Sequence, residues 1–175
     1  MRPVNIPFMN LSAKTIEYIE RLLPRYPQKR SALLMVLHAI QEEAGFISKE
    51  AMEWTAQKLG LTPIQVFEVV TFYPMYRQAP IGRRHVKVCR TLSCALRGAY
   101  QVCDSLKENL GCALGETSAD GNFTIEFVEC VAACGSAPVV MVDDQLHENI
   151  TPDKAPDFAH KLKAETPASL PPSRH

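Results

Sequence analysis

The sequence has no long hydrophobic run. Its longest, Ala32 to Ile40, is nine residues and includes His38, whereas a bilayer crossing needs about 20 apolar residues. The first ten residues lack a basic start followed by an apolar stretch and are not rich in Arg and Ser, which argues against a secretory signal or a transit peptide. Neither sign of charge is in excess. The 19 Lys and Arg balance 19 Asp and Glu, so there is no electrostatic footprint for nucleic acid or an anionic membrane. No G-x-G-x-x-G or Walker-type loop is present, and with it goes any evident means of cradling the phosphates of NADH or a flavin. There is no catalytic triad pattern. The five His, at 38, 85, 147, 160 and 175, make no metal pair at helical spacing and read as structural or surface groups. A soluble, cytoplasmic chain that works against other proteins is the expectation.

Cysteine, by contrast, is plentiful: six in 175 residues. In a reducing compartment these are poor candidates for three structural disulfides, so metal binding or redox chemistry comes first. Apolar residues make up 46% of the chain, enough for one core or two small ones.

Residues 1–80 read as a helical domain. Ser12 can cap a helix over Ala13–Leu23 whose Ile16, Ile19, Leu22 and Leu23 share a face; Pro24 and Pro27 end it. A second helix is expected from Lys29 to Ala44, with Leu33, Val36, Leu37 and Ile40 inward and Gly45 after its end. Gln41, Glu42 and Glu43 are read as a solvated face. Ser48 can cap a third helix. Thr62-Pro63-Ile64-Gln65 is a capping box with Pro at the first helical position, and opens a fourth. Phe72, Tyr73 and Tyr76 form an aromatic group that either packs the junction or anchors a partner subunit.

Residues 81–165 read differently. Strands are expected over His85–Cys89, Phe123–Val128, Val139–Val142 and through Leu146, with helices over Gly98–Leu110 and Pro152–Leu162. The order β-α-β-β-β-α is the thioredoxin-like arrangement, so the fold class is α+β. Residues 166–175, rich in Pro, are expected to be a disordered tail.

Four cysteines form two pairs, Cys89-x4-Cys94 and Cys130-x3-Cys134. The first member of each pair is expected at the end of a strand and the second on the loop that follows. In a β-α-β unit those strands are parallel, so both loops leave the same edge of the sheet, where open sheets place ligands. Four thiolates suit zinc or an iron–sulfur cluster; two pairs supply two sulfurs to each iron of a [2Fe–2S] centre. Such a centre is an anion, and the N–H groups of Ala133 and Gly135, the start of the Gly98 helix and Arg90 are candidates to offset its charge. Cys103 falls on the apolar face of its helix and Cys112 follows a helix-ending glycine, so both read as packing residues.

These residues bring a resemblance into view. Tyr26-Pro27, Ser31-Ala32, Gln41-x3-Gly45, Thr71-Phe72-Tyr73, Val88-Cys89-x4-Cys94-x3-Gly98, Gly115-Glu116-Thr117, Asp120-Gly121-x-Phe123-Thr124, Glu129-Cys130-x3-Cys134-Gly135-x-Ala137-Pro138 and Thr151-Pro152 resemble the thioredoxin-like [2Fe–2S] component, the 24-kDa subunit, of NADH:quinone oxidoreductase, complex I. Related subunits serve NAD-reducing hydrogenases and NAD-linked formate dehydrogenases. One departure is Ala132-Ala133, where Gly is common in such subunits. The resemblance implies an electron-transfer subunit of an NADH dehydrogenase. It would carry one [2Fe–2S] cluster on Cys89, Cys94, Cys130 and Cys134 and no complete active site of its own. FMN and NADH would lie on a partner flavoprotein, at the cytoplasmic face of the inner membrane. A zinc-stabilised interaction module is the reading from a different class.

Overall fold

The computed structural model describes residues 11–165; the tail expected over 166–175 lies outside them. The described residues form two compact units, one running to Pro80 and the other starting at Ile81.

The first unit holds four helices: α1 (Ala13–Leu22), α2 (Leu33–Ala44), α3 (Lys49–Leu59) and α4 (Pro63–Phe72). Local chemistry sets their ends. The Ser12 and Ser48 hydroxyls accept hydrogen bonds from the Thr15 and Ala51 N–H groups, and Gln65 Oε1 accepts from Thr62 N–H at 3.0 Å, each satisfying a donor the helix leaves open. The stretch Lys29–Ala32, expected as part of α2, is a tighter 3-10 turn that leads into it. Ile19, Leu22, Val36, Leu37, Ile40, Ala56, Leu59, Val66 and Val70 are buried together.

Two expectations change here. Gln41 is not solvated but 6% exposed. Its amide donates to Met75 O and accepts from Arg77 N–H, both at 2.8 Å, and so pins the segment after α4 onto α2. Tyr76 is core rather than anchor. It is buried, its hydroxyl donates to Leu34 O at 2.8 Å, and burial, helped by Tyr73, pushes its pKa up to about 12. Phe72 alone of that trio stands well out, edge-on to Tyr73.

The second unit carries β1 (Arg84–Cys89), α5 (Leu92–Leu96), α6 (Ala99–Leu110), β2 (Phe123–Val128), β3 (Val140–Val142), β4 (Gln145–His147) and α7 (Ala155–Glu165). The sheet order is β2-β1-β3-β4. β1 and β2 run parallel, in register from Arg84↔Phe123 to Cys89↔Val128, while β1–β3 and β3–β4 are antiparallel. This is the expected β-α-β-β-β-α order with one addition, the short helix α5 inside the first crossover. α6 packs on β1 and on α7, burying Val102, Cys103, Leu106, Phe158 and Leu162 with Val86, Val88 and Ile125. Gly98, at the start of α6, has φ +93°, and a Cβ there would meet Pro152 Cγ at 2.8 Å. Only glycine satisfies both constraints.

Candidate metal centre

β1 ends at Cys89 and β2 at Val128, its register partner. The chain leaves both parallel strands side by side, and Arg90 N–H still bonds Val128 O at 3.0 Å. The two cysteine-bearing segments therefore start from adjacent points. Cys89 closes β1 as expected. Cys94 lies inside α5 rather than on an open loop, and Cys130 follows the end of β2 by two residues. Cys134 opens a 3-10 turn, Cys134–Ser136.

The first pair is buried, each residue 2% exposed, and the second is exposed. Cys130 Sγ and Cys134 Sγ are 3.5 Å apart. Two sulfurs on one tetrahedral ion at ~2.3 Å would sit about 3.8 Å from each other, so this pair is spaced to chelate. Within each pair one thiol is acidified and the other is not. For Cys89, burial opposes ionisation, but the Thr91 hydroxyl and N–H, Cys94 and the Val131 N–H outweigh it. Burial and its bond to Cys89 push Cys94 up to about 11. Cys130 is lowered by the Ala132 N–H, Cys134 and the Thr91 hydroxyl, whereas Cys134 is raised by the bond to and charge of Cys130. Each pair thus has one thiol that ionises more readily than its neighbour, and soft metal binding displaces the protons of both. The charge of Cys89 reaches Cys94, Cys130 and Cys134. Among the described residues, no three His, Cys, Asp or Glu side chains gather around a single point as one ion's ligands. Two cysteine pairs can supply two sulfurs to each iron of a two-iron cluster.

The structure adds to the donors expected. Ala132 N–H points at Cys130 Sγ, 3.4 Å away, while Ala133 offers its carbonyl to Ser136. A Cβ at Gly135 would meet nothing within 4 Å. Gly98 N–H is taken by Ala95 O. Arg90 pairs with Glu129 at 2.9 Å. Three contributors were not foreseen. Ala132 holds φ +60° to aim its N–H. Arg97 Nη1 donates to Ala137 O at 3.1 Å and straps the end of α5 to the second cysteine segment. The Thr91 hydroxyl lies 3.1 Å from Cys89 Sγ. A threonine two residues after a candidate ligand cysteine was the available signal for the last. Cys103 and Cys112 stay in the core; burial pushes Cys103 up to about 11.

A parallel strand pair with cysteine pairs at its adjacent ends defines an iron–sulfur class of thioredoxin-like domain. The thioredoxin-like [2Fe–2S] ferredoxin family model matches residues 19–163, and the chain belongs to that family. It is similar to an NADH-quinone oxidoreductase subunit of Mycobacterium tuberculosis, 41% identical over 148 residues, which cover 85% of this chain and 59% of the relative. An NADH-quinone oxidoreductase subunit of Thermus thermophilus is 40% identical over 131 residues, covering 74% and 72%. The chain thus spans less than two thirds of the mycobacterial relative and most of the Thermus one. A crystal structure of an NAD+-reducing [NiFe]-hydrogenase shares the fold, with a TM-score of 0.64 at 18% identity over 80% of this chain and 24% of that one. Among the described residues no helix is long and apolar enough to cross a membrane.

Proposed function

We propose that this chain is the electron-carrying subunit of an NADH dehydrogenase that reduces quinone, seated beside an FMN- and NADH-binding flavoprotein. Cys89, Cys94, Cys130 and Cys134 hold its single [2Fe–2S] cluster. The observation that carries this is the pair of cysteine pairs at neighbouring ends of parallel β1 and β2. Relatives of about 40% identity named as NADH-quinone oxidoreductase subunits favour that complex over a hydrogenase. When bound, the cluster accepts and returns one electron at a time. The protein's share is to bind and tune it: Cys89 and Cys94 hold the inner side, Cys130 and Cys134 the side facing solvent, and Ala132 N–H and the Thr91 hydroxyl offset its negative charge. On this reading the chain works in the cytoplasm, at the face of the inner membrane.

The test is direct. Full-length protein expressed with ample iron should contain two irons and two sulfides per chain. It should be red-brown and give an S = 1/2 EPR signal on reduction. Cys→Ser at each of the four positions should lower the iron content, while Cys103→Ala and Cys112→Ala should not. Stoichiometric zinc without iron would overturn the assignment. The chain alone should neither bind flavin nor oxidise NADH.

A further inference from the structure

Thr91 occupies the N-cap position of α5, with φ −70° and ψ 167°. A threonine there ordinarily turns its hydroxyl onto the N–H of the second or third helical residue. This one makes no such bond. Its Oγ1 instead lies 3.1 Å from Cys89 Sγ. Between a thiol and a hydroxyl either atom can donate, but a sulfur bound to iron carries no proton. Once the cysteines are ligands, Thr91 must be the donor.

We infer that the Thr91 hydroxyl is a potential-setting hydrogen-bond donor to the Cys89 sulfur, diverted from capping its helix to stabilise the reduced cluster. The inference rests on the ligand assignment proposed above. Reduction adds one electron, and part of that charge falls on the sulfurs. A donor aimed at them therefore binds the reduced form more strongly than the oxidised form and raises the potential. Thr91 acts through its contact with Cys89, so it is a positioning and tuning residue rather than an iron ligand. The Ala132 N–H does similar work for Cys130, in the exposed pair; Thr91 serves Cys89, in the buried one.

The experiment is a redox titration of full-length, iron-loaded wild type, Thr91→Val and Thr91→Ser, followed by EPR. Valine keeps the branched shape and removes the donor; serine keeps the donor. The expected result is a midpoint shifted to more negative values in Thr91→Val and returned close to wild type in Thr91→Ser, with iron content and thermal midpoint unchanged across the three. An unshifted Thr91→Val that carries its cluster, or a Thr91→Ser shifted as far as Thr91→Val, would overturn the inference. Should Thr91→Val not fold, Thr91→Ala removes the donor in its place: a midpoint shifted to more negative values supports the inference, and an unshifted midpoint in a cluster-bearing Thr91→Ala would overturn it. Wild type lacking iron altogether would be a failure of the ligand assignment, read before any titration begins.

Discussion

At Ala132 a side chain is carried through a backbone conformation that suits glycine, φ +60°. Its methyl group crowds its own carbonyl, a cost of roughly 1–2 kcal/mol, partly balanced by the freedom glycine would bring to the unfolded chain. Ala132→Gly should therefore raise unfolding free energy by about 0.5–1 kcal/mol in denaturant titration, with cluster content unchanged. A loss of stability would show that the φ is not strained in solution. Gln41 presents the opposite case, a polar residue whose replacement should be costly. Gln41→Leu would strip Met75 O and Arg77 N–H of part-buried bonds worth about 1–3 kcal/mol each if left unmet. A drop of about 2–4 kcal/mol in the same titration is expected; a change under about 0.5 kcal/mol would mean water replaces the amide freely. The caps at Ser12, Ser48 and Thr62 were readable from sequence because their partners lie three residues away. Gln41 was not, because its partners lie 34 and 36 residues on, and no periodicity reports which backbone groups a fold leaves open.

At the scale of elements, Gly98 joins α6 to the turn before α7. Its φ of +93° and the 2.8 Å approach of Pro152 Cγ to a would-be Cβ are separate penalties, one local and one tertiary. Gly98→Ala should cost about 2 kcal/mol or more. Pro152→Ala in the same chain should recover only the steric part, leaving about 1 kcal/mol of backbone strain. Full recovery by Pro152→Ala would mean the backbone relaxes out of the left-handed region. Both residues stood in the sequence as motif positions, but the contact between them was invisible there. The helix α5 went unread for a different reason. It spans five residues, Leu92–Leu96, with Leu92 and Leu96 exposed, so it offers no apolar stripe, and its N-cap Thr91 is not joined by any longer pattern. Its existence matters to the site, since it holds Cys94 buried while Cys130 and Cys134 face out. The strands fared better: β1 and β2 carry alternating or β-branched residues over six positions each, long enough for the pattern to declare itself, and the cysteine spacing fell at their ends.

For the molecule as a whole, the question is whether the cluster domain needs the helical one. Each unit has a core of its own: Ile19 to Tyr76 in the first, Val86 to Leu162 in the second. All four proposed ligands, together with Thr91, Arg97 and Ala132, lie in the second, as do the sheet and the helices that hold them. A unit that buries its own core and satisfies its own strands should fold alone. A fragment beginning at Ile81 is therefore expected to take up the same two irons per chain as the full protein, with the same visible spectrum and EPR g values. The helical unit contributes nothing to ligation on this account. Its exposed Ile64, Phe67 and Phe72 suit contact with other subunits, which exposed aromatic and aliphatic groups favour. Under the proposed function, the fragment should hold its cluster yet no longer co-purify with the flavoprotein. Loss of the cluster on truncation, in a fragment whose circular dichroism is still that of a folded α+β domain, would show that the first unit shapes the site. Unchanged co-purification would move the docking surface onto the cluster domain itself, where Leu92, Leu96 and Tyr100 stand exposed beside Cys94 of α5 and at the start of α6.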